Sequence, residues 1–192
     1  VRVRDALGVE RAAPLFFVSP AQVNYLMPAQ TAAGAATVTI TSGDNIVSIG
    51  SVTMAALAPG LFTLNATGTG LPAAAVLRAK SDGSLVYEAV AQYDAARNQF
   101  VAVPIDLGPE SDQVFLLLFG TGMRGRSAGS PATARYATTV SGEVLYAGAQ
   151  GEFAGLDQVN VRVPRSLIGR GEVELEVFVD GRPTNAVRVS IK

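Results

Sequence analysis

The chain has 192 residues, a formal net charge of −1, and no cysteine, histidine or tryptophan. Without histidine or cysteine it lacks the general base of Ser-His-Asp and Cys-His hydrolases and the preferred ligands of zinc, copper and haem iron. The 15 basic and 16 acidic residues are spread along the sequence, so no basic stripe predicts a nucleic-acid interface. We therefore expect a protein that is not an enzyme, with no catalytic residue, no bound cofactor and no nucleic-acid partner.

Apolar residues make up 48% of the chain and charged residues 16%, a composition too apolar for a disordered protein. Its 20 glycines and 10 prolines interrupt the apolar residues. No apolar run approaches the roughly 20 residues that a membrane-spanning helix needs, so membrane insertion is not expected.

Short runs rich in β-branched and aromatic residues, separated by Gly, Pro, Asn, Asp and Ser, predict an all-β chain. In chain order the predicted strands are 1–4, 15–18, 23–27, 35–41, 47–54, 61–64, 73–80, 85–92, 99–105, 114–119, 133–139, 142–146, 158–163, 172–179 and 186–191. The continuously apolar segment 114–119 predicts a central strand buried on both faces, whereas the alternation at 172–177 predicts a half-exposed antiparallel strand.

Two copies of one pattern are recognisable in the chain. The matching positions are Gln22-Val23-Asn24 with Gln158-Val159-Asn160, Phe17 with Phe153, Pro28 with Pro164, Gly34 with Gly171, Val38 with Leu175, Ile40 with Val177, Val52 with Val189, and Met54 with Ile191. We therefore predict two tandem immunoglobulin-like β-sandwich units. Residues 1–57 form a partial first unit, and residues 58–192 form a second unit with an additional hairpin.

The first copy has only residues 1–16 ahead of its repeat, so we expect the first unit to lack its opening strands. An uncovered sheet edge is a site for strand addition. The missing strands would come from an upstream part of a longer protein or from a neighbouring subunit. The interface candidates beside this edge are Val1, Val3, Leu15 and Phe17.

Four segments in fixed order carry a family resemblance: 13–25 (Ala-Pro-Leu-Phe-Phe-Val-Ser-Pro-Ala-Gln-Val-Asn-Tyr), 58–63 (Ala-Pro-Gly-Leu-Phe-Thr), 146–148 (Tyr-Ala-Gly) and 155–164 (Gly-Leu-Asp-Gln-Val-Asn-Val-Arg-Val-Pro). The chain resembles, over nearly its whole length, the Solibacter-type uncharacterised C-terminal domain family of acidobacterial secreted proteins. The resemblance implies IPT/TIG-like sandwiches in an extracellular protein, with no established activity. It also implies a further strand pair ahead of the first repeat, which this sequence does not contain.

Two loops carry patterns that are found in ligand sites. Gly120-Thr-Gly-Met-Arg-Gly125 matches the glycine spacing of dinucleotide-binding loops, but no helix is predicted after it, so a turn between strands is the favoured interpretation. Asp106, Glu110 and Asp112 supply three carboxylates that are weak calcium candidates, with a solvated loop as the favoured alternative.

Ten aromatic residues are candidates for a carbohydrate groove, although sandwich cores use aromatics in the same way and we favour the core. They are Phe16, Phe17, Tyr25, Phe62, Tyr87, Tyr93, Phe100, Tyr136, Tyr146 and Phe153.

Together these observations predict a non-catalytic structural or adhesive module, extracellular or at the cell surface. Its partner would be a protein or a copy of itself, as in a filament or surface-layer subunit completed by strand exchange. The alternative is a carbohydrate-binding module of a secreted protein.

Overall fold

The computed structural model describes all residues, Val1–Lys192, and it is built from β-strands apart from one short 3-10 helix, Arg165–Leu167. The predicted all-β fold class is confirmed. Nothing helical in the chain has the length and apolarity that crossing a bilayer requires. The Cα positions divide the chain into two compact units, unit 1 (Val1–Ala56) and unit 2 (Leu57–Lys192).

Unit 1 consists of one four-stranded sheet and one hairpin. Its strands are β1 (Arg2–Arg4), β2 (Glu10–Ala12), β3 (Leu15–Val18), β4 (Val23–Tyr25), β5 (Gly34–Thr41) and β6 (Val47–Met54). The sheet has the antiparallel order β2-β1-β5-β6, and β3 pairs with β4. The buried core of this unit contains only four residues: Val3, Ala13, Ala36 and Val38.

Unit 2 is a larger sandwich. Its strands are β7 (Gly60–Leu61), β8 (Ala74–Ala79), β9 (Leu85–Ala89), β10 (Ala91–Asp94), β11 (Gln99–Ala102), β12 (Gln113–Thr121), β13 (Thr133–Tyr136), β14 (Val140–Gly142), β15 (Val144–Ala149), β16 (Asp157–Arg162), β17 (Gly171–Val179), β18 (Arg182–Pro183) and β19 (Val187–Ile191). One sheet has the order β15-β16-β12-β8-β9, with β7 also on β12. The other sheet has the order β14-β13-β17, and β18 and β19 both pair with β17 on the side opposite β13. The pair β10-β11 forms a separate hairpin.

Both sheets of unit 2 contribute to one continuous core. The segment 114–119 is a central strand, because β12 pairs with β16 on one side and β8 on the other. Leu116 and Leu118 are fully buried, as is Leu175 on the facing sheet. The alternation predicted for 172–177 is also confirmed, with buried Val or Leu between exposed or half-buried Glu.

Six strands of unit 1 have the same order and pairing as six strands of unit 2. Strands β1 to β5 correspond to β13 to β17, and β6 corresponds to β19. The registers agree: Gly34 lies opposite Met54, as Gly171 lies opposite Ile191. Both hairpins also contain a register shift at the same place, two residues into β3 and β15. The repeated segments therefore occupy equivalent positions.

One detail of the sequence alignment was wrong. Phe17 lies opposite Asn24, and the residue in the same position of unit 2 is Tyr146, opposite Asn160, rather than Phe153. The reason is a longer hairpin loop in unit 2, which places Phe153 between the strands β15 and β16. A gap-free alignment could not detect that insertion. The short strand β2 was also missed, because its polar sequence carries no apolar alternation.

The close packing of β14 against the core gives a first prediction. A Cβ on Gly142 would lie 2.7 Å from Cε2 of Tyr136 and 2.9 Å from Cγ1 of Val161. Because this overpacks a filled core, Gly142→Ala should lower the free energy of unfolding by about 1–3 kcal/mol. A Cβ on Gly43 would meet no atom within 4 Å, so Gly43→Ala should change it by less than about 0.5 kcal/mol. Urea unfolding of both variants checks this, and equal effects would contradict the packing described.

Candidate binding groove of unit 1

One edge of the β3-β4 hairpin is unpaired. Strand β4 hydrogen-bonds to β3 and to no other strand. Its counterpart β16 is paired on both sides, with β15 and with β12. Unit 1 has no strand in the position that β12 occupies in unit 2. The backbone groups on the outer edge of Val23–Tyr25 are therefore free to pair with an added strand.

An apolar groove lies beside this edge. We call it the unit 1 groove, and it is lined by Val23, Tyr25, Val38, Ile40, Ser48, Gly50 and Val52. Two adjoining cavities, of about 630 and 310 Å³, share Ile40 and Ser48. The larger cavity ends between the turns at 19–22 and 42–46. The groove therefore runs along β4 and above β6.

The corresponding surface of unit 2 is covered. Val52 is 37% exposed, whereas Val189 in the same position is 2% exposed. Val23 is half-buried, whereas Val159 is fully buried. Position and residue type are the same in both comparisons. The difference in side-chain exposure therefore arises because β12 and the strands that follow it in the sheet cover unit 2.

The floor of the groove is deeper than its counterpart. Gly50 faces inward with its cross-strand partner Val38, and the register places Val187 in the same position of unit 2. A Cβ on Gly50 would meet no atom within 4 Å. Ser48, two residues earlier on the same face, is also small and exposed. The groove therefore has room for side chains larger than those that cover unit 2.

The repeated Gln-Val-Asn motif is explained by its position on the hairpin. Nε2 of Gln22 donates to Oδ1 of Asn24 at 2.6 Å, and Gln158 donates to Asn160 at 2.7 Å in the same way. Both side chains lie on the outer face of the hairpin, while the valine between them faces inward. The motif stabilises the strand that borders the groove and carries no reactive group.

The four interface candidates differ in their exposure. Val1 and Leu15 line the larger cavity, and Leu15 and Phe17 are about half exposed. Val3 was wrong as a contact residue. It is 1% exposed because it pairs with Val38 in the core of the sheet. All four residues of β3 are exposed, which extends the apolar surface beside the groove.

The three calcium candidates do not form a site. Asp106 accepts from Nζ of Lys192 at 3.0 Å and from its own turn, the N–H of Gly108. Asp112 lies 3.5 Å from Nη1 of the buried Arg78. Glu110 is exposed, and no group of three or more acidic side chains lies close enough to hold a metal ion. Two of the three carboxylates, those of Asp106 and Asp112, are instead paired with cations.

The Gly120–Gly125 segment comprises the last two residues of β12 and the turn that follows them. A Cβ on Gly120 would collide with the carbonyl oxygen of Gly60, and one on Gly122 with that of Ala58. Gly122 also has a φ of +78°, which favours glycine. No helix follows Gly125. The glycines are therefore required by the close approach of two backbone segments.

The aromatic residues are mostly at the surface, contrary to the expectation of an aromatic core. Of the ten, only Tyr136 is fully buried, and eight are exposed. Two of the exposed rings meet in unit 2, where Tyr93 and Phe100 pack edge to face with centroids 5.4 Å apart. They line a hollow of about 440 Å³ together with Leu64, Asn65, Gly70, Leu71, Asn98 and Gln99. We call this the β10-β11 hollow.

Comparisons with family models, with curated proteins and with solved structures find no match to this chain. The groove is therefore interpreted from its own geometry and from its counterpart in unit 2.

A buried carboxylate holds together the sheet beneath the groove. Asp5 accepts hydrogen bonds from the N–H groups of Leu7, Val9 and Ala32, and from Nη1 of Arg11 at 2.6 Å. Burial raises the pKa of Asp5, but these hydrogen bonds outweigh it and lower the pKa from 3.8 to about 2. Asp5 thereby fastens the β1-β2 turn to the segment that leads into β5.

Because the folded-state pKa of Asp5 is depressed, its stabilising contribution is present above the unfolded pKa and is lost as the pH falls from about 4 through about 2. We expect unit 1 to unfold more readily over this interval. Asp5→Asn should be less stable at neutral pH and should flatten the pH dependence, whereas Glu152→Gln in an exposed loop should not. Thermal unfolding at a series of pH values, with hydrogen exchange of the β1 amides, checks this. An unchanged profile in Asp5→Asn would contradict it.

Proposed function

We propose that the chain is a non-catalytic, extracellular structural or adhesive module that assembles with other polypeptides by accepting a β-strand into the unit 1 groove. The observation that carries this proposal is the unpaired edge of β4 above an apolar groove, at the position where β12 closes unit 2. A strand added there would gain backbone hydrogen bonds and bury apolar side chains in one step.

The small core of unit 1 supports the same proposal. Units of about 60 residues bury a smaller fraction of their surface than larger domains and are marginally stable. Unit 1 spans Val1–Ala56 and has four buried core residues. Ten of the nineteen large hydrophobic side chains that are exposed in the whole chain belong to it. A donated strand would enlarge this core and stabilise the unit through binding.

The absence of histidine and cysteine favours assembly over catalysis, since the residues that most often supply a base, a nucleophile or a metal ligand are missing. The resemblance to the Solibacter-type family favours an extracellular location and IPT/TIG-like sandwiches. An extracellular filament or surface layer would use strand donation to join successive subunits.

The proposal predicts that, when no donor strand is bound, copies of the purified chain associate weakly through the uncovered groove. Its apolar surface and free edge should make the chain associate as its concentration rises, and Ile40→Glu should weaken this by placing a charge on the groove floor. Ile168→Glu is the matched control, because Ile168 is an exposed isoleucine outside unit 1. Size-exclusion chromatography with light scattering measures the mass. A stable monomer at every concentration, with β4 amides as protected from hydrogen exchange as β16 amides, would overturn the proposal.

A second candidate function, carbohydrate binding, is favoured by the β10-β11 hollow. Tyr93 and Phe100 offer ring surfaces for stacking, while the Asn65 and Gln99 amides lie beside them to bond hydroxyl groups. The aromatic rings would contact the apolar face of a sugar ring, and the amides would orient it.

If the hollow binds sugars, a glycan array should identify a ligand, and Tyr93→Ala or Phe100→Ala should weaken its binding at least about tenfold, or ~1.4 kcal/mol. Tyr87→Ala is the control, since Tyr87 is an exposed tyrosine on β9 outside the hollow. Titration calorimetry gives the affinities. Absence of binding across polysaccharides, or binding that tolerates all three substitutions, would reject this candidate.

A further inference from the structure

We infer that unit 1 is completed by an added extended segment that runs antiparallel to β4 and places large apolar side chains opposite Tyr25 and Val23. This inference rests on the proposed function and adds the direction, register and side-chain chemistry of the bound strand. In unit 2 the same position is occupied by β12.

The correspondence between the units defines the register. In unit 2, Leu116 lies opposite Val161, and Leu118 lies opposite Val159. Tyr25 and Val23 occupy the positions of these two valines, and they face the groove. Residues of the donated strand opposite Tyr25 and Val23 must therefore point inward, because cross-strand neighbours share a face. The residue between them, opposite Asn24, points outward.

Hydrogen-bond alternation also follows from unit 2. The N–H of Val163 donates to the carbonyl of Val114 at 2.9 Å, so that pair is hydrogen-bonded. Because hydrogen-bonded and non-hydrogen-bonded pairs alternate in antiparallel strands, Leu117 and Asn160 form a non-hydrogen-bonded pair. Asn24 should form the same kind of pair with the donated strand. Side chains in such pairs lie closest, which makes this position suitable for a disulfide.

The inward side chains of the donated strand should be large. Gly50 on the floor of the groove leaves empty space in place of the larger Val187 of unit 2, and Ser48 beside it is also small. Asp44 lines the end of the groove next to Val23. In an antiparallel strand, residues that follow the one opposite Val23 approach this carboxylate. A basic residue there would be complementary in charge.

A second copy of the chain does not offer such a strand. The segment with the required chemistry, β12, is paired on both edges within its own unit. Two β4 edges could pair with each other, but each edge spans only the three residues Val23–Tyr25, against nine residues in β12, so that arrangement would form fewer backbone hydrogen bonds. The occupant is therefore a free extended segment with apolar residues at alternate positions, as in β12.

Disulfide trapping tests the register directly, because the chain contains no cysteine. The probe is a synthetic peptide of the β12 sequence Gln113–Thr121 with Leu117→Cys and lysines at its C-terminal end. The protein carries Asn24→Cys. We expect disulfide formation to be at least about tenfold faster than with the same peptide carrying Leu116→Cys, since that cysteine would point into the groove and away from Asn24→Cys.

Blocking variants test the site. Gly50→Phe fills the floor of the groove and should abolish trapping, whereas Thr53→Phe, an exposed position on the other face of β6 that lines neither cavity, should leave it unchanged. Ser48→Phe is a second blocking variant, and circular dichroism shows that each variant is folded. Equal trapping of both peptides, or trapping insensitive to the blocking variants, would overturn the inferred register.

Two further outcomes separate this inference from the proposed function. Rapid Asn24→Cys dimerisation in the absence of peptide would identify a second copy as the occupant and overturn the donated strand, while leaving assembly through the groove intact. No trapping at all, in a chain that also stays monomeric with a protected β4 edge, would overturn both.

Discussion

An antiparallel sheet with one apolar face is stable in water only when a second layer covers that face. Unit 2 satisfies this requirement with its own residues. Strand β12 extends the sheet that contains β15 and β16, and it places Leu116 and Leu118 over the sheet that contains β17. Unit 1 satisfies it only in part. The two-stranded β3-β4 hairpin is the only layer that covers the four-stranded sheet β2-β1-β5-β6, so β6 and the outer edge of β4 remain uncovered. The groove is a direct result of that imbalance.

The two units serve as each other's control. The same six strands, with the same register and the same hairpin irregularity, are present in both. Differences in burial at equivalent positions therefore report on what covers each unit. Val52 and Val189 illustrate this, since the same residue type is exposed in one and buried in the other. The way in which unit 2 is completed therefore indicates how unit 1 can be completed.

Neither surface that we associate with function contains reactive chemistry. The groove is lined by aliphatic and small polar residues together with Tyr25 and one carboxylate, Asp44, and the β10-β11 hollow by aromatic rings, amides and aliphatic residues. Charged side chains elsewhere are engaged in structure: Arg78 joins two strands and a loop, and Arg165 donates to three successive carbonyls of that loop. Binding through shape and backbone pairing is the chemistry that such surfaces support.

The sequence by itself determined the all-β class, the central position of β12 and the existence of a repeat, because apolar periodicity and repeated motifs are local signals. The short segment ahead of the first repeat also led us to expect an uncovered sheet edge, with Leu15 and Phe17 among the interface candidates beside it. Only the tertiary structure decided that Val3 is a core residue, that Phe17 corresponds to Tyr146, that Asp106 and Asp112 pair with cations, and that most aromatic rings are exposed. These depend on which face a side chain occupies and on what packs above it. Contacts between residues distant in sequence set both, so no local pattern encodes them.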